Sequence, residues 1–114
     1  MKETRLGDFE EVIMLLIGIL GDELAYALKI ADEFKAQTGR DVSIGAVHST
    51  LSRLEDKGFL TSSMGKSTPE RGGRRKRIYT ITAYGRRVLQ ESRDFKLSLW
   101  QQFPALSTGN LNFI

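Results

Sequence analysis

Residues 38–60 read TGRDVSIGAVHSTLSRLEDKGFL, and residues 68–85 read TPERGGRRKRIYTITAYG. Gly39 marks the end of a preceding helix, and Arg40, Asp41 and Val42 leave only a short connection after it. Ser43 has the chemistry of an N-cap, so a helix is predicted from there to Lys57, with Gly58 as its stop. Ile44, Val47, Leu51 and Leu54 recur at helical spacing and form its predicted buried stripe. The opposite face carries Gly45, Ala46, Ser49, Ser52 and Arg53. His48 and Glu55 stand at one flank, Thr50 and Lys57 at the other. A merely solvated face more often carries long Glu and Lys pairs. This one is small and polar with a single arginine, which suits close approach to a DNA groove.

Residues 59–64 read as a strand and residues 65–73 as turn and loop. Residues 74–81 read as the return strand, with Tyr79 and Ile81 on one face and Arg75 and Arg77 sharing their parity further out. The resulting hairpin is basic around its tip. Lys66, Arg71, Arg74, Arg75, Lys76 and Arg77 face one acid, Glu70, and Gly72 and Gly73 permit close backbone approach. Such a patch is the electrostatic footprint of a site for a polyanion; the alternative is a solvated basic loop.

Upstream, Asp8 and Glu11 resemble a capping box opening a helix that runs to Leu20 and ends at Gly21. Val12, Ile13, Leu15, Leu16, Ile17, Ile19 and Leu20 make it apolar on nearly every face, so burial on all sides is expected, part of it under a partner subunit. Residues 25–38 form a second helix with Tyr26, Ala27, Ile30, Ala31 and Phe34 inward. Thr82 caps a last helix whose apolar side carries Val88, Leu89, Ser92, Phe95, Leu99, Trp100 and Phe103, and Pro104 stops it.

The order is therefore α-α-α-β-β-α, a mainly α chain with a small β-hairpin. This is the arrangement of a winged helix-turn-helix, in which the second helix of the pair enters the major groove. Residues 1–81 make up the winged-helix unit, residues 82–104 a C-terminal dimerisation helix and residues 105–114 a tail, which is either loose or docked through Phe113 and Ile114.

Composition narrows the function classes. In 114 residues with a net charge of +3 there is no cysteine and one histidine, His48. Thiolate metal sites, cysteine nucleophiles and disulfides are excluded, and no paired catalytic constellation or phosphate loop appears. Neither a metal nor a cofactor is expected, and the chain does not read as an enzyme. The apolar run from Val12 to Leu20 is too short to span a bilayer, and acids precede it where a secretory signal would be basic. A cytoplasmic location away from membranes is expected.

The residues also carry a resemblance. Ser-x-Gly-Ala-Val from Ser43, Leu-x-Arg-Leu-Glu-x-Lys-Gly from Leu51, Arg-Gly-Gly-Arg-Arg from Arg71 and Tyr-x-Ile-Thr-x-x-Gly from Tyr79 resemble the PadR family of bacterial winged-helix regulators. The likeness extends from Leu6 to about Trp100. It implies a homodimeric transcriptional repressor acting on a pseudo-palindromic operator in double-stranded DNA, of the short type with one helix after the wing. It further implies that the first and last helices build the dimer, and that a small aromatic or hydrophobic effector is a candidate ligand. One departure is His48, where many members carry tyrosine.

The expected sites follow from both readings. The recognition helix contributes Ser43, Gly45, Ala46, His48, Ser49, Ser52 and Arg53. The wing contributes Lys66, Arg71, Gly72, Gly73, Arg74, Arg75, Lys76 and Arg77. The dimer interface is expected at Val12, Leu16, Val88, Ser92, Phe95, Leu99, Trp100 and Phe103. Trp100 reads first as dimer core and second as an effector platform. Tyr79 is expected to pack the wing against the recognition helix. Glu55 stands two residues after Arg53 and Asp56 three, so only Asp56 is at helical spacing, and a phosphate or base contact is the expected use of Arg53 over such a pair. The competing reading is a winged-helix protein-interaction module without specific DNA binding.

Overall fold

The computed structural model describes residues 6–66 and 75–104. Its elements are α1 (Asp8–Leu20), α2 (Ala27–Thr38), α3 (Ile44–Asp56), β1 (Leu60–Met64), β2 (Arg77–Ile81) and α4 (Ala83–Gln102). This is the winged helix-turn-helix order, mainly helical with one antiparallel hairpin.

The first cap falls one residue earlier than expected. Gly7, not Asp8, is the N-cap of α1, and its N–H donates to Oε1 of Glu10 at 2.8 Å. The capping carboxylate is thus Glu10 rather than Glu11. Asp8 becomes the first helical residue, where a negative charge suits the positive end of the helix.

The second helix starts two residues late, at Ala27. The carbonyl of Ala25 accepts the N–H of Tyr79 at 2.9 Å, so it is committed to β2. Tyr26 is consequently an N-cap rather than a core position. At the other end Gly39 takes the left-handed conformation (φ 76°), its N–H returning to the Lys35 carbonyl.

Ser43 caps α3 as expected, its Oγ accepting the N–H of Ala46 at 3.0 Å. Val47, Leu51 and Leu54 are buried, together with Thr50. Ile44 departs from the expected stripe: it is 43% exposed, because the first turn of α3 projects past the core.

The hairpin pairs Leu60 with Ile81, Ser62 with Tyr79 and Met64 with Arg77. Leu60, Tyr79 and Ile81 therefore share the inward face, and Tyr79 is buried. The return strand begins at Arg77, three residues after the expected start; residue 74 lies outside the described residues.

Ile13, Met14, Ile30, Val47, Leu51, Leu54, Phe59 and Leu60 form the fully enclosed centre. Helix α1 runs through it, and a single chain leaves part of its apolar surface uncovered. Leu15 and Ile19 are 50% and 61% exposed.

Thr82 caps α4 as expected, its Oγ1 accepting from Gly85 N–H and donating to the Gly58 carbonyl. Only Gly85 and Val88 of this helix are buried. From Arg93 onward every described residue of α4 is exposed.

Candidate nucleic-acid interface

The sequence places the recognition residues on α3, and the fold turns most of them to one outer face. Ser43, Gly45, His48, Ser49, Ser52 and Arg53 are exposed, and Ala46 is half-buried. Two of them already have internal partners. Ser49 Oγ donates back to the Gly45 carbonyl at 3.0 Å. Arg53 pairs with neither Glu55 nor Asp56: its Nε donates to Glu10 Oε2 at 3.1 Å, and its Nη2 to Thr50 Oγ1 at 3.3 Å.

The wing base stands beside this helix. Lys66, Arg75 and Arg77 are exposed and Lys76 is half-buried. Arg75 Nε donates to the Gly65 carbonyl at 2.9 Å, bracing the stem of the hairpin. Arg77 Nη1 donates to Ser62 Oγ at 3.1 Å, and that hydroxyl donates to Glu55 Oε2 at 2.8 Å. The chain of contacts fixes Arg77 relative to the end of α3. Arg71, Gly72, Gly73 and Arg74, the expected wing tip, lie outside the described residues.

Between helix and wing lies an open cleft of about 390 Å³. Arg75, Lys76 and Arg77 line one side, His48 and Ile44 the other, and Tyr26 and Leu28 close it from α2. The first turns of both α2 and α3 reach this cleft. Side-chain capping is absent at the start of α2, and uncapped helix N-termini offer N–H groups and a partial positive charge to anions. The cleft thus combines guanidinium, ammonium and backbone donors, the equipment for holding a phosphate backbone while α3 presents short side chains.

Helical spacing puts Tyr26 and Ile44 in the core and gives Leu28 no role, whereas the fold brings all three to this cleft. The signal that separates Tyr26 from core was weak: it rests on Tyr79 claiming the Ala25 carbonyl. Lys76 Nζ sits 5.5 Å from the centre of the Tyr26 ring, within cation–π range. Tyr79 does pack between wing and helices. Burial pushes its phenol above its usual pKa, the Glu55 charge adds to that, and Arg77 opposes it.

The residues expected at a dimer interface divide into two groups. Leu16 and Val88 are buried in the chain's own core, Val12 is half-buried against it, and Ser92 Oγ donates to Glu11 Oε1 at 3.0 Å. Phe95, Leu99, Trp100 and Phe103 are instead 50–65% exposed. Leu15 and Ile19, on the helix expected to lie partly under a partner, and Leu97 are exposed as well. Where α1 meets α4, Leu15, Leu89, Leu97 and Trp100 line a groove of about 690 Å³ rimmed by Glu11 and Arg93. Lys96 Nζ donates to Glu11 Oε1 at 2.6 Å, and this contact raises the Lys96 pKa.

Among the described residues no group of His, Cys, Asp and Glu is arranged to hold a metal ion, and no helix is long and apolar enough to cross a membrane.

The model of the transcriptional regulator PadR-like family matches residues 16–91, more than half of the chain. No curated protein matches by sequence. Among solved structures, a PadR-like transcription factor from Bacteroides fragilis is 26% identical with a TM-score of 0.68, over 85% of this chain and 87% of that one. A PadR-like transcriptional regulator from Bacillus cereus is 20% identical with a TM-score of 0.68, over 89% and 92%. A PadR family transcriptional regulator from Eggerthella lenta is 24% identical with a TM-score of 0.62, over 86% and 82%.

Proposed function

The chain belongs to the PadR-like family of transcriptional regulators, and we propose that it acts as a homodimeric repressor on a pseudo-palindromic operator in double-stranded DNA. The observation that carries this reading is the convergence of Arg75, Lys76 and Arg77 with His48 and the first turns of α2 and α3 on one cleft. In this reading α3 lies in the major groove, Ser52 and Arg53 face base edges, and His48 and the wing cations hold the flanking phosphates.

The dimer rests on a different surface. Phe95, Leu97, Leu99, Trp100 and Phe103 leave one long helix with little cover in a single chain. Apolar side chains clustered in this way mark an interaction surface. A second copy related by a two-fold axis offers the same surface in return. It would also place two recognition helices on successive half-sites. Residues 1–81 then serve as the reading unit and residues 82–104 as the dimerisation helix.

A small aromatic or hydrophobic effector is assigned to the groove beside Trp100. Its floor is apolar and its rim charged, a combination that suits a flat molecule with one polar end.

The experiment is fluorescence anisotropy on a duplex from upstream of the gene, against a scrambled duplex of equal length. Specific binding should fall by ~10³ or more between 50 and 200 mM salt if six to ten phosphates are neutralised. Equal affinity for both duplexes would overturn the reading. Light scattering on the free protein checks the dimer.

A further inference from the structure

Glu10 is 6% exposed, yet it carries a full charge and serves three donors from two helices. Gly7 N–H bonds Oε1 at 2.8 Å, Arg53 Nε bonds Oε2 at 3.1 Å, and Lys57 Nζ bonds both oxygens at 3.0 Å. Arg53 stands in the last turn of α3 and Lys57 is its C-cap. Among the described residues, no group lining the cleft and none of the wing bonds this carboxylate, and Arg53 is its link to the outer face of α3.

Apolar contacts through Leu51 and Leu54 hold α3 against the core but are non-directional, and a helix can roll or slide upon them at small cost. A carboxylate gripping two cations one helical turn apart removes that freedom. Buried ion pairs contribute little net stability compared with apolar replacements. Their better-attested use is to select one arrangement among several similar ones. Arg53 shows the consequence. Its guanidinium is held from below by Glu10 and Thr50, while its side chain remains 53% exposed. An arginine fixed in this way loses less rotamer entropy when it makes an outward contact.

We infer that Glu10 is a positioning residue for sequence reading, setting the roll of α3 and the direction of Arg53 without touching DNA. This rests on the reading of α3 as the recognition helix. The residue sits 43 positions before Arg53, on a helix that contributes none of the expected DNA-facing residues.

Glu10→Gln separates positioning from simple charge restraint. The amide keeps the shape but cannot anchor two cations. If Glu10 positions α3, affinity for the operator falls by about tenfold. Affinity for scrambled duplex stays within about a factor of two, because the phosphate contacts survive. If Glu10 only restrains Arg53 and Lys57, freeing them raises affinity for both duplexes alike, and the inference fails. An unchanged ratio of the two affinities also overturns it. Circular dichroism and light scattering establish that the variant is folded and assembled as the parent is. Should Glu10→Gln not fold, Lys57→Gln decides, since it removes one anchor and leaves the Arg53 contact. A drop in the operator-to-scrambled ratio supports the inference, and an unchanged ratio ends it. If the parent protein itself binds both duplexes equally, it is the assignment of α3 that fails, which is a separate result.

Discussion

The backbone of Phe59 lies directly against Gly85. A Cβ at position 85 would overlap the Phe59 carbonyl oxygen and stand 3.0 and 3.1 Å from its C and Cα. That carbonyl also accepts the Thr82 N–H at 3.0 Å, so it cannot move aside freely. Gly85→Ala is expected to destabilise the protein by about 1–3 kcal/mol, the usual cost of overpacking, despite alanine's better helix propensity. Urea unfolding at fixed protein concentration measures it. A stabilised Gly85→Ala would mean that the first turn of α4 packs less tightly on the Phe59 backbone than its geometry requires.

Stability should fall in acid through Glu10. Burial alone would raise its pKa, but the bonds from Gly7, Lys57 and Arg53 outweigh that, and the net direction is below the usual 4.5. A lowered folded-state pKa means that the contribution is complete above about pH 4.5 and is lost as pH falls through the folded value. In Glu10→Gln the acid limb of the stability profile should be shallower. Parallel profiles for parent and variant between pH 5 and 2 would count against this.

Arg75→Ala and Arg77→Ala should weaken binding to operator and scrambled duplex by the same factor. Each lost phosphate contact should flatten the slope of log affinity against log salt by about 0.9. Substitution of Ser52 should instead change which sequence is preferred. Titrations at four salt concentrations separate the two behaviours. A sequence-dependent loss from Arg77→Ala would move that residue from the phosphates to the bases.

Phe95 is 65% exposed in the single chain and Trp100 56%. Phe95→Ala should raise the dimer dissociation constant at least tenfold, since buried aromatic anchors at interface centres are worth about 2 kcal/mol or more. Trp100 is the only tryptophan, and its emission should shift to the red on dilution through the same midpoint that light scattering reports. Emission independent of concentration, with an unchanged Phe95→Ala dimer, would remove α4 from the interface.

Much of the fold was legible because its signals are local. Ser43 and Thr82 are caps whose hydroxyls reach N–H groups three residues on, and both stand where the sequence puts them. Tyr79 and Ile81 face inward because strand parity leaves no alternative once the register is set. The order of helices and strands, the turn at Gly39 and the outward face of α3 rest on spacing alone.

What tertiary structure decided are relationships between residues far apart in the chain. Ala25 and Tyr26 have helical spacing, yet they leave the helix because Tyr79, more than fifty positions later, takes the Ala25 carbonyl. Ile44 continues an apolar stripe but emerges into the cleft, because periodicity reports a face and not where the core ends. Leu16 and Leu15 are neighbours with the same chemistry, but one is core and the other half exposed. Glu10 and Glu11 are alike in sequence, and only packing sends the first to Arg53 and Lys57 and the second to Lys96 and Ser92. Local hydrogen bonding and side-chain period are written residue by residue, whereas the pairing of a buried charge depends on which distant helix closes over it.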